Sequence, residues 1–272
     1  MVRQSELLMT STWNPDQYNR FRGERQQPFY DLLALVRPRP AMRVVDLGCG
    51  TGELTRIVHE TLAASDTLGL DSSETMLAQS AALALAGLRF ARADIGEFAA
   101  TAEYDLIFSN AALHWLPDHP ALFARLTDAL APEGQLAVQM PFNFDHPSHT
   151  VAASVAREEP FCAALGGYAI EQPVFAPERY AALLHGLGYR AQHVRLQVYA
   201  HVLPARDDVV EWVKGTLLTA YQHRLPEELW PRFLDRYRER LLPELDTSRP
   251  YFYPFKRILL WGERGGLDDQ CA

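Results

Sequence analysis

One stretch constrains this chain more than any other. It is Val44-Val45-Asp46-Leu47-Gly48-Cys49-Gly50-Thr51-Gly52, a short apolar run that ends in an acid and passes directly into a glycine-spaced turn. Val44 and Val45 suit a parallel strand buried on both faces. Beyond the turn, Leu54, Ile57, Val58 and Leu62 recur at i, i+3, i+4 and i+8, which is one face of a helix. The stretch therefore predicts strand, tight loop and helix entrance, the unit that brings backbone N–H groups close to a ligand. Gly48 and Gly50 remove Cβ where a ligand would lie against the main chain. Glycines at this spacing also serve plain strand-to-helix turns, so the loop gains meaning only with what surrounds it.

Charge and spacing narrow the ligand. A dinucleotide fingerprint runs G-x-G-x-x-G and seats a pyrophosphate at the helix N-terminus. Here the third glycine comes one residue early, and Asp46 and Glu53 flank the loop. Two carboxylates repel phosphate but attract a ligand carrying an ammonium and a sulfonium. S-adenosylmethionine fits that description better than NAD, which an alternative reading as a dehydrogenase would require.

Acids recur at the ends of the following predicted strands. Thr67-Leu68-Gly69-Leu70-Asp71-Ser72-Ser73 ends in Asp71, 23 residues after Gly48. Doubly wound nucleotide folds place a ribose-binding carboxylate at about that distance. A helix-entry acid that complements the macrodipole is the other reading of Asp71. Ser72 or Ser73 can cap the next helix, whose Met76 points back toward the same crevice. A third strand, about Leu88 to Ala91, leads into Ala93-Asp94-Ile95, where Asp94 can accept an adenine amino group or simply make a turn. A fourth, Tyr104 to Asn110, runs into Ala111-Ala112-Leu113-His114-Trp115-Leu116. Asn110 then sits at a strand's carboxyl end, where open α/β sheets bind ligands. His114 and Trp115 follow beside it, as packed side chains or as walls of the site. A helix from Pro120 to Leu130, a Pro132-Glu133-Gly134 turn and a strand from Gln135 to Met140 complete this alternation. Such alternation, with short connections, predicts a parallel sheet covered on both faces.

The remainder is organised differently. The leader Thr12-Trp13-Asn14-Pro15-Asp16-Gln17-Tyr18 can open a helix capped by Asn14, with Tyr18, Phe21, Arg22 and Arg25 on one face. These aromatics either pack the helix or cover a bound adenosyl group. A second helix is expected from about Pro28 to Val36. From Pro141 to about Val174 no regular alternation is visible. A helix from Pro177 to Leu187 and a strand from Gln192 to Val202 follow, then a helical stretch over 207–245, and a last strand from Phe255 to Gly262 that can return antiparallel between earlier strands. The expected division is an N-terminal cap over 1–27, a core over 28–141, an irregular lid over 142–175 and a core helix and strand over 176–205. A helical lid over 206–249, the final core strand over 250–264 and a tail over 265–272 complete it.

With 272 residues, 48% of them hydrophobic, the chain can bury a large core. Its net charge of −8 disfavours nonspecific nucleic-acid binding, which rests on Lys/Arg contacts to phosphate. Cys49, Cys162 and Cys271 have no metal-like spacing, so neither a metal site nor a disulfide framework is expected. The apolar runs are too short for a signal peptide or a membrane span. A cytoplasmic protein, a monomer or small homo-oligomer, is the expectation.

The motifs Val45 to Gly52, Leu70-Asp71-Ser72-Ser73, Ala93-Asp94-Ile95 and Asp105 to Ala111 together resemble the class I S-adenosylmethionine-dependent methyltransferases. Within that superfamily the chain is similar to the trans-aconitate 2-methyltransferases. The more particular matches are Trp13-Asn14-Pro15 with Tyr18, Leu113 to His119, Leu136 to Pro141 and Pro254-Phe255-Lys256-Arg257. The resemblance implies a Rossmann-like, doubly wound, mostly parallel seven-stranded α/β sheet with a helical lid inserted before the last strand. It also implies S-adenosyl-L-methionine as cofactor and S-adenosyl-L-homocysteine as product. Gly48, Cys49 and Gly50 would hold the methionine moiety, with Asp71 at the ribose, Met76 and Ile95 around the adenine, and Ser72 a further cofactor contact. Asp94 would take the adenine amino group and Asn110 with Ala111 the methionine end, with Trp13, Tyr18 and Trp115 closing the site. Phe142 and His114 depart from that family's pattern where the acceptor is expected.

The implied acceptor is a small polycarboxylic acid, most specifically trans-aconitate, methylated to an ester. A carboxylate is already ionised at neutral pH, so no catalytic base is required. A polyanion entering an acidic protein needs local positive charge or donors. Arg22, Arg249 and Lys256 are the first candidates, with Arg25, Lys214 and Arg257 behind them, and Asn143, His114 and Tyr253 as neutral partners. Tyr221, Tyr251, His146, His149 and His201 are further options. A hydroxyl acceptor would instead need a base, for which His114 is the first candidate. Another small acid, an amine acceptor, or a binding module without turnover are the remaining alternatives.

Overall fold

The computed structural model describes residues 22–170 and 173–265, with side chains from Gln26 onward. Among these residues lie helices α1 (Arg22–Leu33), α2 (Glu53–Leu62), α3 (Glu74–Ser80), α4 (His119–Ala129), α5 (Pro147–Val155), α6 (Phe161–Ala164), α7 (Pro177–Gly186), α8 (Asp208–Lys214), α9 (Thr219–Gln222) and α10 (Leu229–Leu241). The strands are β1 (Arg43–Leu47), β2 (Asp66–Asp71), β3 (Leu88–Arg92), β4 (Tyr104–Asn110), β5 (Leu130–Pro141), β6 (Tyr189–Leu203) and β7 (Tyr251–Arg264). They form one sheet in the order β3-β2-β1-β4-β5-β7-β6. Strands β3, β2, β1, β4 and β5 are parallel, and β7 runs antiparallel to β5, from Gln135 opposite Glu263 to Pro141 opposite Arg257. The expected antiparallel return of the last strand is thus observed, between β5 and β6.

The described chain divides into two compact units, one comprising 26–142, 173–197 and 257–265 and the other 22–25, 143–170 and 198–256. In the first, the β-branched and apolar runs do what their composition dictates. Val44, Leu106, Phe108, Ala137 and Leu259 form one buried face of the sheet, covered by Phe29 and Leu32 of α1 and Val58 and Leu62 of α2. Because β1 to β5 are parallel, their carboxyl ends lie along a single edge. In the second unit, Trp212, Tyr221, Phe233, Tyr237, Tyr253 and Phe255 build a separate aromatic core. No helix of the described residues is long and apolar enough to cross a membrane.

Three expectations about local structure are corrected. Pro28 does not open a second helix but lies inside α1. Its missing N–H costs about 3 kcal/mol, but complete burial of Phe29 and Leu32 at about 1.5–3 kcal/mol each holds the helix through it. The Pro132-Glu133-Gly134 turn falls within β5 as an irregularity, with a register shift between Tyr104 and Leu106 on the partner strand and Glu133 at φ 60°. The stretch after Pro141 holds α5 and α6. Their buried side chains include small Ala152 beside Val155 and Phe161, too weak an apolar signal for a periodicity search. The helical stretch expected over 207–245 is observed, as three separate helices followed by a single turn of tighter helix, Leu242–Glu244.

Candidate active site

The site is built from the carboxyl edge of the parallel strands. Gly48 follows β1 with φ +84°, and a Cβ there would lie 2.2 Å from Cβ of Ala112 and 3.9 Å from Cδ1 of Ile95. The chain after β1, the loop after β3 and the loop after β4 therefore converge on one glycine. The N–H groups of Gly48 and Cys49 both donate to the Leu70 carbonyl, at 2.8 and 2.9 Å. Gly50 has φ +56° and nothing within 4 Å of where its Cβ would be, so the main chain there borders open space. Its N–H donates to Oδ2 of Asp71 at 2.9 Å, while Oδ1 of Asp71 accepts the Ser73 N–H at 2.8 Å. Asp71 thus clamps the glycine loop to the start of α3, and a carboxylate with about four acceptor positions keeps two for a ligand. Ser73, rather than Ser72, caps α3, accepting the Met76 N–H at 3.4 Å.

Beneath the loop, Asp46 is buried and accepts the Thr55 hydroxyl at 2.6 Å. Loss of hydration pushes its carboxyl up to about 7, with the Asp71 charge adding to the shift and the Thr55 hydrogen bond opposing it. Burial likewise pushes the Cys49 thiol far up, so it is an inert wall and not a nucleophile.

Asp94 and Ile95 follow β3, beside Asp71: β2 and β3 pair through Asp71 and Arg92, and the Ala93 N–H donates to the Asp71 carbonyl at 3.0 Å. Ile95 is buried, and one oxygen of Asp94 accepts the Gly96 N–H at 2.8 Å, leaving the other available. At the end of β4, Oδ1 of Asn110 is buried without a hydrogen-bond partner. An orphaned acceptor costs about 1–3 kcal/mol until something donates to it. Ala111 next to it takes φ 57°, a left-handed conformation that a non-glycine residue adopts at a cost, held by its N–H on the Gln139 carbonyl at 2.9 Å. Trp115 is exposed, with the His114 ring 4.6 Å away, centroid to centroid. The fully buried histidine of this region is His119, held by Tyr180 and by the Leu113 carbonyl at 3.2 Å.

These residues fit an adenosyl ligand with an amino-acid end: an orphaned acceptor for an ammonium, an open backbone at Gly50, a carboxylate for a ribose, and Ile95, Met76 and Asp94 for a base. Trp13 and Tyr18, and the side chain of Arg22, lie outside the described residues. Among the described residues, no group of three or more His, Cys, Asp and Glu side chains is placed to hold a metal ion.

The acceptor candidates from Asn143 to Lys256 belong to the second unit, and Arg257 belongs to the first. Asn143 is fully buried; its Oδ1 accepts the Lys256 N–H at 3.1 Å, while its Nδ2 has no partner. The ammonium of Lys256 is engaged by Asp145, and Lys214 by Glu211 at 3.1 Å. Arg249 is exposed. Tyr253 is buried, 3.3 Å from the Ser148 hydroxyl, which also lies 2.9 Å from Nδ1 of His146 and 3.0 Å from Nδ1 of His149. Burial lowers these imidazoles to about 4 and about 3, so both are neutral at pH 7. A cavity of about 260 Å³ lies against His149, Thr150, Arg157, Phe144, Ile170 and Leu217.

A methyltransferase domain family matches residues 44–134, which span β1 to the turn inside β5. Over 262 residues the chain is 46% identical to a trans-aconitate 2-methyltransferase of Deinococcus radiodurans, covering 94% of this chain and all of the relative. It is 36% identical to the trans-aconitate 2-methyltransferase of Mycobacterium tuberculosis, covering 93% of this chain and 97% of that one. The chain belongs to the trans-aconitate 2-methyltransferase family. It is an S-adenosylmethionine-dependent methyltransferase. Solved structures agree on the fold. The YcgJ protein of Bacillus subtilis matches with a TM-score of 0.58 at 14% identity over 88% of this chain and 99% of that one. An S-adenosylmethionine dependent methyltransferase from Mesorhizobium loti matches with a TM-score of 0.53 at 24% identity over 90% and all of the respective chains.

The structure brings Gly48, Gly50, Asp71 and Ile95 together, with Asp94 after β3 and Asn110 at the end of β4, on either side of β2 and β1. The sequence reading gave no role to Gln139, whose Nε2 is buried without a hydrogen-bond partner. The signal was present: a lone amide in the apolar run Leu136 to Met140, one step from a strand's carboxyl end.

Proposed function

We propose that this chain transfers the methyl group of S-adenosylmethionine to a carboxylate of trans-aconitate, giving a methyl ester. The observations that carry the reading are the orphaned Oδ1 of Asn110 at the end of β4 and, after the neighbouring strand β1, the open backbone of Gly50, whose N–H is tied to Asp71. The 46% identity to a trans-aconitate 2-methyltransferase supports the choice of acid. When bound, the cofactor supplies an activated methyl group on a sulfonium.

The chain's own residues supply placement. Gly48 and Gly50 let the main chain approach the methionine moiety, Asn110 receives its ammonium, and Asp71 accepts from the ribose. Met76, Ile95 and Asp94 hold the adenine. The acid arrives ionised, since its carboxyls titrate near pH 4, so no residue has to remove a proton. Orientation of two bound reactants is worth roughly 7–11 kcal/mol, and this is the work left to the protein. The ammonium of Lys256, engaged by Asp145, binds an acid only by exchanging that partner.

The test is transfer of labelled methyl from the cofactor to a panel of di- and tricarboxylates that includes trans-aconitate, with phenols and amines alongside. A base-labile labelled ester of trans-aconitate is the expected product, with His114→Ala leaving the kcat at saturating acid between pH 6 and 8 within threefold. Label on a phenol or amine, or a kcat at saturating acid that collapses in His114→Ala, would overturn the reading.

A further inference from the structure

Strand β5 carries an anomaly. Leu136, Ala137, Val138 and Met140 are buried apolar residues, and among them Gln139 is equally buried, with 0% exposure. Its Oε1 accepts from a guanidinium N–H of Arg257 at 3.5 Å, but its Nε2 has no hydrogen-bond partner at all. A buried amide donor left unsatisfied in an apolar strand is destabilising, and such an atom calls for a ligand or a catalytic reason.

The register says what surrounds it. Gln139 faces Asn110 across β4 and β5, and Arg257 of β7 faces Pro141, two residues further along β5. Directly paired residues, and residues two apart on a strand, share a face of the sheet. Asn110, Gln139 and Arg257 therefore form a short row on one face, at the carboxyl ends of β4 and β5. The row begins with an unpartnered acceptor and continues with an unpartnered N–H donor and a buried guanidinium. An N–H donor beside a guanidinium suits an anion, and a carboxylate accepts from both.

Sheet order decides whose carboxylate. The residues fitted to adenine, ribose and methionine stand at the ends of β3, β2, β1 and β4. The next strands outward are β5 and β7, on the far side of β4, where a second reactant has to be held. We propose that Gln139, with Arg257 behind it, is the seat for a carboxylate of the methyl-accepting acid, and so a determinant of acceptor specificity. This rests on the function proposed above.

The test measures the KM for trans-aconitate and the Kd for S-adenosylmethionine on the full chain, as wild type, Gln139→Leu and the isosteric Gln139→Glu. Removing one hydrogen bond to a charged group should raise the acid KM roughly 10- to 100-fold in Gln139→Leu, and further in Gln139→Glu, where like charges meet. The kcat should stay within threefold and the cofactor Kd within twofold, and that Kd also reports folding. An unchanged KM in both variants overturns the seat. A cofactor Kd that rises in step with the KM also overturns it, because the row then holds the cofactor's own carboxylate. Wild-type protein that methylates no acid overturns the proposed function itself, and the acceptor seat with it.

Discussion

Gly50→Ala separates what the glycine loop does for the fold from what it does for the ligand. At φ +56° an alanine is strained but allowed, at about 1–2 kcal/mol. No protein atom lies within 4 Å of the added Cβ, so no clash enlarges that cost. In a protein of this size the loss lowers Tm by about 2–8 °C. Gly48→Ala is the contrasting case, since its Cβ would sit 2.2 Å from Cβ of Ala112 and force the loop off its hydrogen bonds to the Leu70 carbonyl. If the space over Gly50 belongs to the methionine moiety, the new methyl group stands where the ligand must touch the main chain. Loss of one hydrogen bond to a charged group, about 1.5–3 kcal/mol, translates into a Kd raised roughly 10- to 100-fold. Calorimetric titration with S-adenosylmethionine and a thermal melt of the same sample read both numbers. A variant that melts within a few degrees of wild type and binds the cofactor within twofold of it would refute the placement.

Three further outcomes follow from the site and its surroundings. Asp46 has a folded-state carboxyl pushed up to about 7, above the ordinary 3.8, so between these pH values the native chain holds a proton that the unfolded chain has lost. Its contribution to stability therefore falls as pH rises through that window, by about 4 kcal/mol for about three pK units. In Asp46→Asn, denaturant unfolding of the ligand-free protein between pH 4 and 8 should lack that slope, and an unchanged slope would contradict the account. His146 and His149 act in the opposite sense: their folded values, about 4 and about 3, lie below the ordinary 6.5, so stability is present above 6.5 and is lost as pH falls toward 4. Hydrogen exchange during acidification should rise first around Ser148 and Tyr253, and uniform protection down to pH 4 would contradict this. Ser73→Ala removes the cap of α3 and should cost about 1 kcal/mol, read by chemical denaturation, with a larger effect on ribose binding only if Asp71 shifts with the cap.

How much of this was legible follows from where the physics is local. Val44 to Gly52 declares itself because a strand, a turn with positive φ and a helix entrance each leave a compositional mark within a few residues. Asp71, Asp94 and Asn110 were legible because a parallel sheet puts every strand's carboxyl end on one edge. What was hidden depends on pairing that no local pattern encodes. Gln139 acquires its meaning only when β4 sets Asn110 beside it and β7 returns antiparallel to bring Arg257 near. Lys256 reads as a free cation in sequence, but Asp145, 111 residues away, engages it. Helix α5 was invisible because its buried positions include serine and alanine, and α1 ran through Pro28 because burial of Phe29 and Leu32 after it outweighed the proline.

The claim on which the rest depends is that Asp71, reached by the Gly50 N–H, holds the ribose of an adenosyl cofactor. Calorimetric titration of S-adenosylmethionine into wild type and Asp71→Ala tests it most directly. The account predicts saturable one-to-one binding to wild type, no binding of NAD, and a Kd raised at least roughly tenfold in the variant, the equivalent of one charged hydrogen bond lost. Equal affinity of the two proteins for the cofactor, or no heat with wild type, would contradict it.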